Sequence, residues 1–408
     1  MGDLYPRVAD VINNDIYVDD CVSGEMTEDT RSSTTKNLGL VSGKGGFGLK
    51  GFTFSGADPP PHLSKDGKTI MVFGMKYRPK DDKIALNIKK LNFAGKNRGK
   101  KPQNATGVIP DDLLMVDCAG KLGEIYDLQG RVAPIVASMK LDMHALHDLK
   151  LDWRDPIPAN LREVWLQHFK TMEDIGEIWY DRAVIPIDAV NLDMETIDTG
   201  DASQNLVCAA IYVRFKRKNG THSCQLIFAK TKLVPDDTSI TRAELMAALL
   251  SAVTGHVVRV SLGDRIKKTW KITDSQVALF WINCTRSVLK LWVRNRVVEI
   301  NRLTDVDSWR YVESKDNPAD IGTRKGAKIE DVGPGSNWIC GHFWMSQPEE
   351  CFPTKSAGEL MLSAKEKQEA RKESYPEPLD PANVVSHLGN DVEYDFELDT
   401  FSYMTSHF

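Results

Sequence analysis

The sequence predicts an α/β and α+β multidomain protein, and three observations carry that expectation. An apolar strand from Leu206 to Phe215, the turn pair Asn219-Gly220 (type I′) and a second strand from Ser223 to Lys230 together form a β-hairpin pattern. Beyond it, strand-like and helix-like stretches alternate to about residue 330, as in an α/β domain with a mixed sheet. Before it, Leu146, Leu149, Leu161, Trp165, Phe169 and Ile175 recur at helical spacing. With 408 residues the chain has room for two or three domains.

Taken in order, residues 1–95 suggest short strands and turns, punctuated by the glycine-rich stretch from Gly43 to Gly48 and by Asp58-Pro59-Pro60-Pro61. Thr69 to Tyr77 is the clearest strand among them. Tyr17-Val18-Asp19-Asp20, flanked by Val11, Ile12, Ile16 and Val22, has the pattern of a tight hairpin turn. Two adjacent carboxylates there repel each other unless a cation sits between them. From Lys89 to Lys101 six basic residues and no acidic ones mark an exposed loop suited to phosphates.

Residues 96–185 form a helical connection, and 186–330 the α/β domain. Within that domain a helix is expected from about Arg242 to Val253, strands around 257–262 and 268–273, and a helix after Asp274. A longer helix follows from about Ser287 to Leu303, then a short strand from Trp309 to Val312. Residues 331–360 are a Trp-containing extension with a packing role for Trp338. Residues 361–408 are an acidic tail, helix-prone from Lys365 to Lys372 but expected to be disordered, since 373–400 holds eight acidic residues and no Lys or Arg.

Bulk properties exclude little. A net charge of −5 makes any nucleic-acid signal local rather than global. Seven scattered cysteines without a C-x-x-C pair argue against a disulfide framework and for an intracellular setting, cytoplasmic or nuclear. No signal-like start and no apolar run of eighteen residues is present, so secretion and membrane partners are not expected.

Four acidic residues in the α/β domain fall where strand ends and helix starts gather on one sheet edge: Asp201, Glu244, Asp274 and Asp320. Singly each has a structural explanation. Thr241 to Glu244 spells a capping box, Asn317-Pro318 an N-cap with proline at the first position, Asp274 an N-cap, and Asp201 a turn beside Gly200. Together they would repel in a dry cleft, and two Mg²⁺ ions about 4 Å apart relieve that while activating water on a phosphodiester.

Asp201-Ala202-Ser203, Ile240-Thr241-Arg242-Ala243-Glu244-Leu245, Thr273-Asp274-Ser275-Gln276 and Asn317-Pro318-Ala319-Asp320, in that order, resemble the ribonuclease H domain of retrotransposon polyproteins. The stretch from Ile125 to Pro134 with Lys140, Trp153 and Trp165, then Asn295 to Ile300 and Trp309 to Val312, narrow the resemblance to the BEL/Pao class. Tyr17-Val18-Asp19-Asp20 resembles the reverse transcriptase hairpin. The resemblance implies a partial polymerase palm at 1–95, a connection at 96–185 whose label in this family, Pao retrotransposon peptidase, extends into the next domain, and an RNase H-like domain at 186–330. It further implies that Asp201, Glu244, Asp274 and Asp320 bind two Mg²⁺ ions, with Mn²⁺ as the alternative, and cleave RNA in an RNA–DNA hybrid. Other parts of the polyprotein are the implied protein partners. Two departures stand out. Asp127-Leu128-Gln129-Gly130 replaces the usual Asp-Pro-Leu-Gly, and no histidine lies between Asp274 and Asp320.

Two other functions compete. Asp198-Thr199-Gly200 spells the triplet of aspartic proteases, whose Asp shares a proton across a dimer. A catalytically decayed nucleic-acid-binding remnant would carry the same motifs without turnover. Polymerase activity is not expected, because Asp19 and Asp20 lack the third carboxylate and the fingers that lie upstream of such a hairpin.

Overall fold

A computed structural model describes residues 4–25, 27–93, 108–284 and 289–375. Most of the basic loop and the acidic tail beyond residue 375 lie outside the described residues. The described residues fall into two compact units, one within Met1–Asn87 and Trp179–Ala183, the other within Ile88–Ile178 and Val184–Tyr394.

In the first unit two helices stand where short strands were expected. α1 (Pro6–Asn14) starts with proline in its first turn, and its Val8 and Val11 bury against Leu38 of α2 (Glu28–Lys44). α2 shows almost no apolar stripe. Its start is set by a capping box, with the Thr30 N–H donating to Thr27 Oγ1 at 3.2 Å and Glu28 and Asp29 in the first turn. Between the helices, β1 (Ile16–Tyr17) and β2 (Asp20–Cys21) make the expected hairpin, Tyr17 opposite Asp20. Val18 holds φ 55°, an uncommon conformation for a β-branched residue. The run from Thr69 to Tyr77 is not one strand but two, β3 (Ile70–Val72) and β4 (Met75–Arg78), because Phe73 and Gly74 take φ 48° and 75° and turn the chain back. β5 (Lys83–Ala85) and the later β6 (Tyr180–Asp181) complete a sheet of order β3-β4-β5-β6.

The second unit opens with the expected helices, α3 (Met115–Gly123), α4 (Ala133–Asp148) and α5 (Ala159–Ile175). Leu146, Trp165, Phe169 and Ile175 are buried as their spacing predicts, whereas Leu149 is exposed. The unusual turn before α4 is well made: Asp127 accepts the N–H groups of Arg131 and Val132 at 3.0 and 2.8 Å, and Gly130 takes φ 71°. A Cβ on Gly130 would stand 2.1 Å from the Ala229 carbonyl oxygen, so only glycine lets the connection lie on the sheet here.

That sheet consists of β7 (Met194–Ala202), β8 (Leu206–Lys216), β9 (His222–Leu233), β10 (Ile266–Thr273) and β11 (Trp309–Tyr311), in the order β11-β10-β7-β8-β9. β7, β8 and β9 are antiparallel neighbours, while β10 and β11 run parallel to β7. Asn219 is not in the left-handed region, so the hairpin loop is not a type I′ turn; only Gly220 has positive φ, at 84°.

α6 (Ile240–Leu262) lies between β9 and β10, and α7 (Gln276–Ile282) and α8 (Leu291–Leu303) between β10 and β11. α6 absorbs the strand expected at 257–262, because Val258 is buried in the core and Arg259 reaches Asp198. It is apolar and long enough to cross a membrane by composition, yet it is the core helix of the sheet, with Leu245, Ala248 and Ala252 fully covered.

After the turn Pro318–Gly322 come α9 (Ile329–Val332), α10 (Asn337–Cys340) and α11 (Ala364–Lys372). Trp338 is wholly buried and donates its indole N–H to the Arg131 carbonyl at 2.9 Å, the packing role expected of it. Residues 361–375, expected in the disordered tail, are ordered: Glu373 accepts from Nε and Nη2 of Arg242 at 2.8 and 3.1 Å, and Ser374 bridges to Leu289. None of the seven cysteines, all among the described residues, forms a disulfide.

Candidate active site

Strand register builds the site. Thr273 of β10 lies opposite Gly200 of β7, so the next residues along, Asp274 and Asp201, leave the two strands side by side with their carboxyl groups in hydrogen-bonding reach. Asp201 therefore ends a central strand, rather than preceding the first one. Gly200 also sets the helix above it, since a Cβ there would come within 2.8 Å of the Ala247 carbonyl oxygen of α6. One turn earlier on that helix, Glu244 is carried to the strand ends, where Ser275 Oγ donates to its Oε2 at 2.5 Å.

The capping-box explanation of Glu244 does not hold. Ser239 is the N-cap of α6, accepting from the Arg242 N–H, which leaves Glu244 free for the site. Ser275, not Asp274, caps α7.

Asp320 arrives on a short 3₁₀ turn rather than a helix. Asn317 caps that turn through the Ala319 N–H at 3.2 Å, and its amide donates to the Gly200 carbonyl at 3.0 Å and to Asp274 Oδ1 at 3.3 Å. Gly322 presses on Cys208, the residue opposite Asp201 in the β7–β8 register, and a Cβ there would meet the sulfur at 2.3 Å. Thr323 then donates its hydroxyl to Asp201, and Arg324 ion-pairs with Asp320.

All four carboxylates thus reach one sheet edge, and Asp274 is electrostatically coupled to each of the other three. Burial, then the charges of Asp274 and Asp320, push Asp201 up to about 8, although the Thr323 hydroxyl works against the rise. Burial pushes Glu244 up to about 7, with Asp274 adding to it. Burial also raises Asp320, against the pull of Arg324. Among the described residues no three His, Cys, Asp or Glu side chains converge as a finished metal cage. Asp201, Glu244 and Asp320 each turn an oxygen to Thr323, Ser275 and Arg324.

Sequence reasoning passed over these partners. Ser275 and Asn317 lie inside the motifs Thr273–Gln276 and Asn317–Asp320, where the sequence alone marks them as a neighbour and a cap. Thr323 and Arg324 lie three and four residues beyond the Asp320 that ends the last motif. His342, held half-buried within electrostatic range of Asp316 and Asp320, carries no signal in the sequence because it comes from a later segment.

Asp198 contradicts the protease alternative. It is fully buried in β7 beneath α6, where a Cβ on Gly255 would stand 2.0 Å from its Oδ2. Lys271 Nζ donates to that oxygen at 2.5 Å and Arg259 at 3.1 Å. A carboxylate neutralised inside the core has no face for a peptide. In the first unit Asp19 is exposed on its turn, and Asp20 accepts the Phe73 N–H at 2.8 Å while Tyr17 packs edge-on against the Phe73 ring at 6.0 Å.

The mixed sheet and its carboxylate edge define an RNase H-like domain. Residues 116–275 match the family model described as the Pao retrotransposon-like RNaseH-like domain. No curated protein matches the chain. Among solved structures, RNase H1 from the halophilic archaeon Halobacterium salinarum NRC-1 is 15% identical, with 31% of this chain and 90% of that one covered and a TM-score of 0.22. The N-terminal RNase H domain of rv2228c from Mycobacterium tuberculosis, as a fusion with maltose-binding protein, is 12% identical over 31% of this chain and 86% of that one, at 0.22. The foamy viral protease-reverse transcriptase dRH in complex with double-stranded DNA is 10% identical over 75% of this chain, at 0.40. The chain spans 48% of that foamy viral protein.

Proposed function

We propose that this chain is part of a BEL/Pao-type retrotransposon polyprotein and cleaves the RNA strand of RNA–DNA hybrids, using Asp201, Glu244, Asp274 and Asp320 with Mg²⁺ or Mn²⁺. The observation that carries this reading is the side-by-side Asp201–Asp274 pair, a repulsive arrangement in which neither carboxylate forms an ion pair with a Lys or Arg among the described residues. The donor set fits a hard divalent ion, since all four groups offer carboxylate oxygens. When bound, such an ion supplies an activated water and charge for the leaving oxygen of a phosphodiester. The protein's own part is to aim the carboxylates. Ser275 and Thr323 hold Glu244 and Asp201 through hydroxyl hydrogen bonds, and Asn317 orients Asp274. The Asp19-Asp20 hairpin belongs, in this reading, to a reverse transcriptase palm.

One observation favours the remnant reading instead: Arg324 already neutralises Asp320. Incubating the whole chain with a labelled hybrid and Mg²⁺ separates the two. Cleavage that disappears in Asp274→Asn supports the nuclease, whereas hybrid binding without any metal-dependent turnover sinks it. The whole chain is needed because residues 88–178 and 184–375 share one compact unit.

A further inference from the structure

We infer that Asp142 and Ser138 of α4 are positioning residues for the nuclease site, anchoring the segment Thr323–Gly326 that fixes Asp201 and Asp320. The inference rests on the nuclease reading above. Four consecutive residues divide between site and anchor. Thr323 donates to Asp201 and Arg324 pairs with Asp320. Lys325 Nζ donates to Asp142 Oδ1 at 2.7 Å, and the Gly326 N–H donates to Ser138 Oγ at 3.0 Å.

Asp142 is suited to the task. Its side chain is 7% exposed, and its second oxygen meets Nε2 of His168, from α5, at 2.8 Å. Burial opposes its charge, yet the hydrogen bonds from His168 and Lys325 hold it below the ordinary carboxylate range. Gly326, at φ 88°, lets the backbone turn so that its N–H faces α4.

The anchor matters because Asp320 rides on a 3₁₀ turn, whose internal hydrogen bonds are poor. A loop-borne catalytic group keeps its geometry only when the surrounding shell holds it, and a misplacement of about 1 Å costs on the order of 100-fold in rate. The helical connection is therefore a working part of the nuclease.

The test uses the full chain, a labelled RNA–DNA hybrid and Mg²⁺, with Asp142→Asn, Asp142→Glu, Lys325→Met and the double variant Asp142→Asn/Lys325→Met. Asp142→Asn and Lys325→Met should each lower kcat by about tenfold or more and raise the Mg²⁺ concentration for half-maximal rate, with KM for the hybrid unchanged. The double variant should be no worse than either single one, since both break one contact. Asp142→Glu should restore most of kcat. Amide exchange at Thr323–Gly326 should rise in both single variants while β7 and β10 stay protected. Lys325 is 66% exposed, so its variant folds even where Asp142→Asn does not. Unchanged kcat and exchange in Lys325→Met, or additive losses in the double variant, overturn the inference. A wild-type chain that never cleaves overturns the nuclease reading and with it the catalytic role of Asp142, and the exchange measurement then decides the anchoring alone.

Discussion

Asp198 and Asp201 lie three residues apart on β7 and meet opposite fates. Asp198 faces α6 and receives Lys271 and Arg259, so its charge is matched inside the protein. Asp201 faces the other side of the sheet, where its nearest charged neighbours are Asp274 and Asp320. Burial alone therefore does not mark a functional carboxylate. What distinguishes the two is whether the protein supplies the cation.

The largest effect should come from breaking the matched end. Lys271→Met leaves Asp198 with Arg259 alone and should cost about 3–5 kcal/mol of stability in denaturant titrations. A loss below about 1 kcal/mol would show that the pair is not the internal compensation described here.

Next comes the unmatched end. Saturating Mg²⁺, at about 100 times its dissociation constant, should stabilise the chain by about 2.7 kcal/mol in thermal melts, and Asp274→Asn should remove most of that gain. A melting temperature indifferent to Mg²⁺ would leave the repulsion with no ligand to relieve it.

The same contrast sets a pH dependence. Asp201 at about 8 and Glu244 at about 7 keep protons in the folded chain at pH values where the unfolded chain has released them. Stability from these two groups is therefore highest below about pH 4 and is lost as pH rises through their folded values. Melts in EDTA between about pH 5 and 8 should show this fall, and Mg²⁺ should flatten it. Asp201→Asn should abolish cleavage yet stabilise the metal-free chain by about 1 kcal/mol, as removal of strain from an active site commonly does. A destabilised Asp201→Asn would erase the contrast with Asp198.

The smallest effect is expected of Arg259→Lys. It keeps a charge near Asp198 but loses the bond to the Leu303 carbonyl, now 2.9 Å, for about 0.5–1 kcal/mol in the same titrations.

Legibility in the sequence followed the same logic of internal partners. β8 and β9 could be read from apolar runs, because their residues pack against helices on both sides of the hairpin. β7 could not. Thr196, Asp198, Thr199 and Asp201 are all buried in it, and their hydrogen-bond partners come from other parts of the chain: Thr269 for Thr196, the Ala210 carbonyl for Thr199, Lys271 for Asp198 and Thr323 for Asp201. A polar central strand looks like a loop until those partners are known. The run Val257 to Leu262 misled in the opposite sense, since β-branched residues suggested a strand where burial of Val258 against the sheet prolongs a helix. The order of the four carboxylates along the chain is legible in the sequence, whereas Thr323, Arg324 and the contacts with α4 are not, because no local pattern encodes a hydrogen bond across 183 residues.

The Trp338 indole closing on the Arg131 carbonyl ties the chain beyond Asp320 to the turn that starts α4. A chain cut after Asp320 would keep all four carboxylates, yet it would lose that indole and the Glu373 carboxylate that pairs with Arg242. The four acidic positions are therefore held by residues that follow them in the sequence as well as by those that precede them.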